Sequence, residues 1–117
     1  MAKRPFQKIT VVRLMTAESE PPDSPDDGAI QAAHIRYLTS LVDSGTILAN
    51  GPVKRLDDDR IRGMSLYLVE PEEARELAKD DPAVKAGWFE VLVDEWLIPA
   101  RSRTIGDRHD LEIDLPV

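Results

Sequence analysis

Four stretches of the chain are rich in apolar, β-branched and aromatic residues, a pattern typical of strands. The second stretch ends in Gly51-Pro52 and is joined to the third by the polar turn KRLDDDR, as in a hairpin. The pattern therefore predicts four strands, at residues 8–16, 46–53, 61–70 and 88–99.

Between the first and second stretches, apolar residues recur at the three- and four-residue spacing of one buried helix face. The sequence SPDD precedes them, and it predicts Ser24 as N-cap, Pro25 as the first helical residue and acidic residues in the first turn. The helix is expected to run to about Ser44, with Gly45 after its last turn. The apolar positions are Ile30, Ala33, Tyr37, Leu38, Leu41 and Val42.

A second helix is predicted from Pro71 to Asp80 or Asp81, because Pro82 disfavours helical geometry in the residue before it. The segment DPAVKAG then predicts a short separate helical turn that ends at Gly87. The resulting order, β-α-β-β-α-β, is the ferredoxin-like arrangement of an α+β protein, in which an antiparallel sheet carries two helices on one face.

The predicted strands carry large apolar residues on both sides. In the first strand, Ile9, Val11 and Met15 alternate with Val12 and Leu14, so both faces of the sheet are apolar. Leaving such side chains in water costs about 1.5–3 kcal/mol each. We therefore expect a homodimer or a higher homo-oligomer packed sheet to sheet. The alternative is that the C-terminal tail covers the open face of its own subunit.

A length of 117 residues suits one domain, and we assign residues 1–99 to it and residues 100–117 to a tail. The tail is expected to be flexible or exchanged with a partner subunit. A net charge of −7 argues against nucleic-acid binding. The absence of cysteine, together with an apolar run near the N-terminus too short for a membrane segment, favours a cytoplasmic protein without membrane contact.

His34 is the first candidate catalytic residue, because it falls on the apolar side of the first helix and imidazole titrates near neutral pH. The alternative is a structural histidine that has found a hydrogen-bond partner. Asp81 is the second candidate. Asp-Pro before a short helix is an ordinary N-cap, but the same carboxylate could orient the His34 ring, and the sequence spacing leaves both interpretations open.

A substrate site is predicted beside this pair, formed by Gly51, Pro52, Tyr37 and Met64. Gly51-Pro52 is interpreted either as a strand terminator or as tight backbone lining a pocket. The acidic run at 57–59 lacks the glycine and distal glutamate of a calcium loop, and His109 with its neighbouring aspartates makes an unlikely metal site. We therefore predict a small-molecule ligand, no metal and no cofactor.

Several of these segments together resemble the YciI-like family, also called YCII-related domains, over residues 8–99. They are AAHIRYLTSLVDSGTILANGPV, RIRGMSLYLVEPEEARELAKDDPAVKAGWFEV and the EW of the last strand. The resemblance implies a ferredoxin-like fold that dimerises as an α+β barrel, and a His/Asp site at His34 and Asp81. At least one member of that family removes chloride from a chlorinated hydroxyquinone without a cofactor. The proline-rich loop at 18–26 and the extended tail depart from the family pattern.

These observations lead to two main hypotheses. The first is a cofactor-independent enzyme of the lyase, dehydrochlorinase or isomerase type, in which His34 is the general acid/base and Asp81 its orienting partner. The second is a non-catalytic metabolite-binding or accessory module that uses the same pocket. A purely structural interaction domain is a third alternative.

Overall fold

The computed structural model describes residues 6–99, so the predicted tail at 100–117 lies outside the described residues. The order of elements is the predicted one, with the short helical turn after the second helix present as a helix of its own. The elements are β1 (Phe6–Thr16), α1 (Asp27–Asp43), β2 (Ile47–Pro52), β3 (Ile61–Tyr67), α2 (Pro71–Lys79), α3 (Pro82–Lys85) and β4 (Phe89–Pro99).

The four strands form one sheet in the order β2-β3-β1-β4, and every neighbouring pair is antiparallel. This order, with the β-α-β-β-α-β sequence of elements, confirms the ferredoxin-like α+β fold. The pairing of β1 with β4 is the longest, and it runs from Phe6 opposite Pro99 to Thr16 opposite Phe89 without a register shift.

The main core lies between the sheet and the helices. Its buried residues come from β1, β2, β3 and α2, with Tyr67 and Val12 each only 1% exposed, and α1 adds Leu38 and Leu41 at its edge. Both long helices therefore pack on the same face of the sheet, as predicted. No residue of α1 is itself fully buried, so this helix covers the core less tightly than α2 does.

A second apolar cluster occupies the opposite side of the sheet, here called the open face. It is built from Ile9, Leu66 and Ile98, which are all buried. Trp96 and Leu92, which lie opposite Ile9 and Arg13 in the β1–β4 ladder, share this face and are 47% and 42% exposed. The prediction that both faces of the sheet are apolar is therefore confirmed.

Three predicted boundaries were wrong by two or three residues. The first strand begins at Phe6 and not at residue 8. The α-helix begins at Asp27 and not at Pro25, because Pro25 and Asp26 form a turn. Ser24 nevertheless caps that turn: its Oγ accepts from the Asp26 N–H at 3.2 Å, and Asp27 Oδ2 accepts from the Ser24 N–H at 3.0 Å. The third strand ends at Tyr67 and not at residue 70. The Leu68 N–H still donates to the Thr46 carbonyl, but the Thr46 N–H donates to the Leu41 carbonyl at the end of α1 and does not extend the pairing.

A β-bulge interrupts the pairing of β1 with β3. Leu14 lies opposite Gly63, but the next residue, Met15, lies opposite Ile61, so Arg62 is an extra residue on β3. Residues directly opposite one another share a face of the sheet. Ile61 therefore shares the open face with Met15, and the backbone at Arg62 departs from the regular alternation.

Gly45 ends α1 in the left-handed region, with φ +79°, and no atom lies within 4 Å of where a Cβ would stand. We expect Gly45→Ala to lower the free energy of unfolding by about 1–2 kcal/mol, entirely through backbone strain. Gly28→Ala is the matched control, because Gly28 lies within α1 with equally open space and no positive φ. Alanine there should stabilise by up to about 1 kcal/mol. Chemical denaturation of both variants measures the contrast; equal effects would contradict it.

None of the helices within residues 6–99 is long and apolar enough to cross a membrane.

Candidate active site

Asp81 is held at the junction between α2 and α3 by the proline that follows it. Its backbone is extended, at φ −60° and ψ 128°, as expected for a residue before proline. The carboxylate Oδ1 accepts a hydrogen bond from the Ala83 N–H at 2.9 Å and so caps α3. The residue is only 1% exposed, so its orientation is fixed by the surrounding structure.

The same carboxylate contacts the imidazole of His34. His34 Nδ1 lies 2.7 Å from Asp81 Oδ2 and 2.9 Å from Oδ1, so both oxygens face one ring nitrogen. The two interpretations of Asp81 left open by the sequence therefore coexist in one side chain: it caps a helix and it contacts the histidine. The histidine side chain is 14% exposed.

The hydrogen bond between Asp81 and His34 determines which nitrogen of the neutral imidazole carries the proton. An ionised carboxylate only accepts hydrogen bonds, so Nδ1 of His34 must carry the proton that it shares with Asp81. In the neutral ring the free lone pair is then on Nε2, which points away from Asp81. Phe89 packs beside the imidazole, with ring centroids 5.9 Å apart and planes at 57°. The ring is thus held by a buried anion and an aromatic neighbour.

A cavity of about 390 Å³, here called the first cavity, lies between α1 and strands β2 and β3. This volume is near the lower end of the range for small-molecule sites. The cavity reaches the bulge in β3 and the Gly51-Pro52 end of β2. It is lined by Leu14, Gln31, His34, Ile35, Leu38, Thr39, Asn50, Gly51, Pro52, Arg62, Gly63, Met64, Ser65 and Phe89.

The proline-rich loop, residues 18–26, forms part of a second and smaller cavity of about 210 Å³. Gln31, Arg62 and Phe89 line both cavities, so the two spaces adjoin. The remaining lining of the second cavity is Glu20, Pro21, Pro22, Asp23, Asp27 and Trp88. The proline-rich loop therefore lies beside the candidate site.

Two tyrosines lie near the His34–Asp81 pair. Burial, then the negative charges of Asp80 and Asp81, raise the pKa of Tyr37 above its usual value. Burial also strongly raises the pKa of Tyr67, with Tyr37 and Asp81 adding to the effect. Both phenols therefore stay protonated at neutral pH. Neither can serve as a phenolate base there.

The structure brings together most of the predicted site residues. Gly51, Pro52 and Met64 line the first cavity with His34, as the sequence analysis expected of a substrate site. Tyr37 is not part of that lining: its hydroxyl donates to the Leu77 carbonyl at 2.7 Å and so joins α1 to α2.

Sequence reasoning missed the second face of α1. Gln31, His34, Ile35, Leu38 and Thr39 follow the i, i+3, i+4, i+7, i+8 spacing of one helix face, and all five line the first cavity. Counting this spacing from His34 would have found them. Asn50, Ser65 and Arg62 carried no such signal, because they reach the cavity through strand pairing.

Groups of three or more histidine, cysteine, aspartate or glutamate side chains placed to hold a metal ion are absent from residues 6–99.

The YCII-related domain family matches residues 11–97, which is most of the chain. The chain belongs to this family. The match includes at least part of each of the four strands, together with His34, Asp81 and the lining of the first cavity, and it confirms the resemblance seen in the sequence. Comparison with curated proteins gives no match.

Solved structures with a similar fold are distant from this YCII-related chain. One is 5-chloro-2-hydroxyhydroquinone dehydrochlorinase from Burkholderia phenoliruptrix AC1100 in complex with 2,5-dihydroxybenzoquinone, with 26% identity, 74% of this chain and 92% of that chain covered, and a TM-score of 0.46. Another is a mutant of SnoaB, a cofactor-independent oxygenase from Streptomyces nogalater, with 14% identity, 84% and 97% coverage, and a TM-score of 0.43. These TM-scores are low, so the fold assignment rests on this chain's own strand order.

Proposed function

We propose that this YCII-related protein is a cofactor-independent enzyme that acts on a small metabolite by acid–base chemistry at His34. The observation that supports the proposal is the contact between the buried Asp81 carboxylate and His34 Nδ1, at 2.7 Å, on the wall of a cavity. A carboxylate in that position orients the ring and stabilises the imidazolium that forms when Nε2 accepts a proton.

In the proposed reaction, Nε2 of His34 removes a proton from a carbon or hydroxyl of the substrate. For an elimination, the electrons of the broken C–H bond form a double bond, and a leaving group departs with its bonding pair. For an isomerisation, the imidazolium returns the proton to a different atom. Both sequences balance without an oxidant or a reductant, which is why we assign lyase, dehydrochlorinase or isomerase chemistry.

The test is turnover of a panel of hydroquinones and lactones, without added cofactor, by the wild-type protein and by His34→Gln. Turnover by the wild type that the folded variant loses supports the proposal. A folded variant that keeps wild-type turnover contradicts it.

A metabolite-binding module is the second candidate function. The amide side chains of Gln31 and Asn50 line the first cavity, and they could hold a polar ligand without reacting with it. This function predicts that a ligand raises the melting temperature in proportion to the logarithm of its excess over Kd, with no product formed. A purely structural interaction domain would need no cavity beside His34, so the first cavity argues against that alternative.

We also propose that the open face packs against a second copy of the chain. Trp96 and Leu92 are about half exposed beside the buried cluster of Ile9, Leu66 and Ile98. The charges on this face are already paired, with Arg13 Nη2 2.9 Å from Asp94 Oδ2. When a second copy covers the open face, Arg13 and Asp94 keep their hydrogen bond, and this limits the cost of burying the two charges.

Trp96→Lys is expected to weaken the dimer, because a two-fold interface contains each residue twice. Losing two buried tryptophan contacts, at about 1.5–3 kcal/mol each, raises the dimer Kd by about a hundredfold or more. Sedimentation equilibrium measures this. Leu97→Lys is the matched control, since Leu97 is 52% exposed and points to the other side of the same strand. A wild-type monomer that associates only after removal of residues 100–117 would favour the alternative, a tail folded over its own subunit.

A further inference from the structure

The residues that line the first cavity differ in charge from the chain as a whole. The chain carries a net charge of −7, yet neither aspartate nor glutamate is among the described residues that line this cavity. Arg62 is the lining's one arginine or lysine, and the other polar groups are neutral amides and hydroxyls beside His34. Apolar walls with a single cation concentrate positive potential inside a cleft. An anionic group in a ligand would therefore be attracted there.

Arg62 lies at the β-bulge in β3. Regular alternation along β3, counted from Leu66 on the open face, would place Arg62 on the open face as well. The extra residue between the Leu14–Gly63 and Met15–Ile61 pairs breaks this alternation at Arg62 itself. A bulge costs ladder pairing and commonly serves to redirect a side chain. Its position here coincides with the edge of both cavities.

The described part of the chain gives Arg62 no ion pair, whereas Arg13 and Arg60 each have a carboxylate partner at about 3 Å. The acidic residues Glu20, Asp23 and Asp27 line the second cavity, which Arg62 also lines. These carboxylates repel an anion that extends beyond the arginine. The charge pattern thus favours a ligand whose anionic group stays within the first cavity.

We propose that Arg62 is a specificity-determining residue that binds the carboxylate or ionised hydroxyl of a small, singly charged ligand in the first cavity. The inference rests on the proposed function, because it names the substrate class of the same site. The guanidinium presents paired N–H donors that match the two oxygens of a planar anion. The substrate is thereby held at one end by Arg62, with His34 on the opposite, helical wall of the cavity.

The experiment uses the full chain and three probes of nearly equal size: benzoate, benzamide and benzylammonium. Isothermal titration should show benzoate binding about tenfold more tightly than benzamide, with benzylammonium weakest, because a hydrogen bond to a charged group adds about that much affinity. Arg62→Gln should abolish the preference for benzoate, and Arg62→Lys should restore part of it. Arg36→Gln is the matched control, since Arg36 is exposed on α1 and lines neither cavity.

Equal binding of benzoate and benzamide by the wild type, or failure of all three probes to bind, would overturn the inference. A benzoate preference that survives in Arg62→Gln would also overturn it, because the His34 imidazolium would then be its source. If a substrate is found, Arg62→Gln should raise KM about tenfold with kcat little changed. Arg62-dependent binding of benzoate without turnover of any substrate would leave the inference standing and contradict the proposed acid–base function.

Discussion

His34→Gln is expected to lower turnover by about 10²–10⁴-fold, which is the usual contribution of a general acid or base. The glutamine amide can still donate a hydrogen bond to Asp81, so the buried carboxylate keeps a partner and the fold should persist. The amide cannot accept a proton at neutral pH, so the chemical step loses its base. Steady-state rates on the best wild-type substrate measure the loss, and thermal denaturation checks the fold.

His109→Gln is the control, because His109 is the other histidine of the sequence and lies outside the described residues from which the site is proposed. It should retain wild-type rates. If both variants lose activity equally, or if His34→Gln loses only a small factor, the assignment of His34 as the base is contradicted. A variant that loses turnover but still binds the substrate would locate the defect in the chemical step.

The order of elements could be predicted because each segment carries its own hydrophobic period. The strand 8–16 and the helix after Ser24 differ in period, and Pro71, Pro82 and Gly87 mark where the later helices start and stop. The apolar character of both faces of the sheet could be predicted for the same reason. The start of α1 was missed by two residues, because Ser-Pro-Asp-Asp satisfies the signature of a helix cap and that of a turn equally well.

The sequence allowed a contact between His34 and Asp81 to be proposed, but the spacing of the two residues could not decide whether it forms. The two residues are 47 positions apart, and their meeting depends on how α1 packs against α3. The placement of Arg62 was harder still. Arg62 lies at a register shift between β1 and β3, and a bulge of one residue leaves no periodic mark in a seven-residue strand. The sequence therefore allowed His34, Gly51, Pro52 and Met64 to be placed together, whereas the His34–Asp81 contact and the position of Arg62 required the structure.

Tyr37 shows how a correct burial pattern can suggest a wrong contact. It lies on the apolar face of α1, only three residues from His34, and was expected at the substrate site. Its hydroxyl instead bonds to the Leu77 carbonyl, so the polar end of this half-buried side chain is satisfied between two helices. One face of α1 therefore packs on the core, and the adjacent face lines the first cavity.

Asp81 carries two roles in one side chain, and two substitutions should separate them. In Asp81→Asn, the amide oxygen can still accept from the Ala83 N–H, so the cap on α3 survives. The amide nitrogen can face His34 only by donating to Nδ1, which moves the ring's proton to Nε2. We expect turnover to fall by about 10⁴-fold, as for a wrong tautomer in a triad. The free energy of unfolding should fall by only about 1 kcal/mol.

In Asp81→Ala both roles are lost. The Ala83 N–H and the protonated Nδ1 of His34 are left without their acceptor at a site that is 1% exposed. The missing cap and the unsatisfied donors together should cost about 2–4 kcal/mol, which lowers Tm by on the order of 10 °C. Calorimetry and rate measurements on both variants test the difference. Asp80→Asn is the matched control. The Asp80 side chain is 65% exposed, and its ion pair with Lys85, with Oδ1 3.8 Å from Nζ, is a weak surface contact.

The comparison between the two Asp81 variants is decisive because stability and turnover should change in different proportions. If Asp81 were only a cap, Asp81→Asn would keep both stability and activity, since the asparagine oxygen replaces the one that caps α3. If Asp81 only oriented the ring, Asp81→Ala would be no less stable than Asp81→Asn. A large loss of turnover at a small loss of stability in Asp81→Asn, followed by a large loss of both in Asp81→Ala, requires one carboxylate to hold the helix and the histidine together.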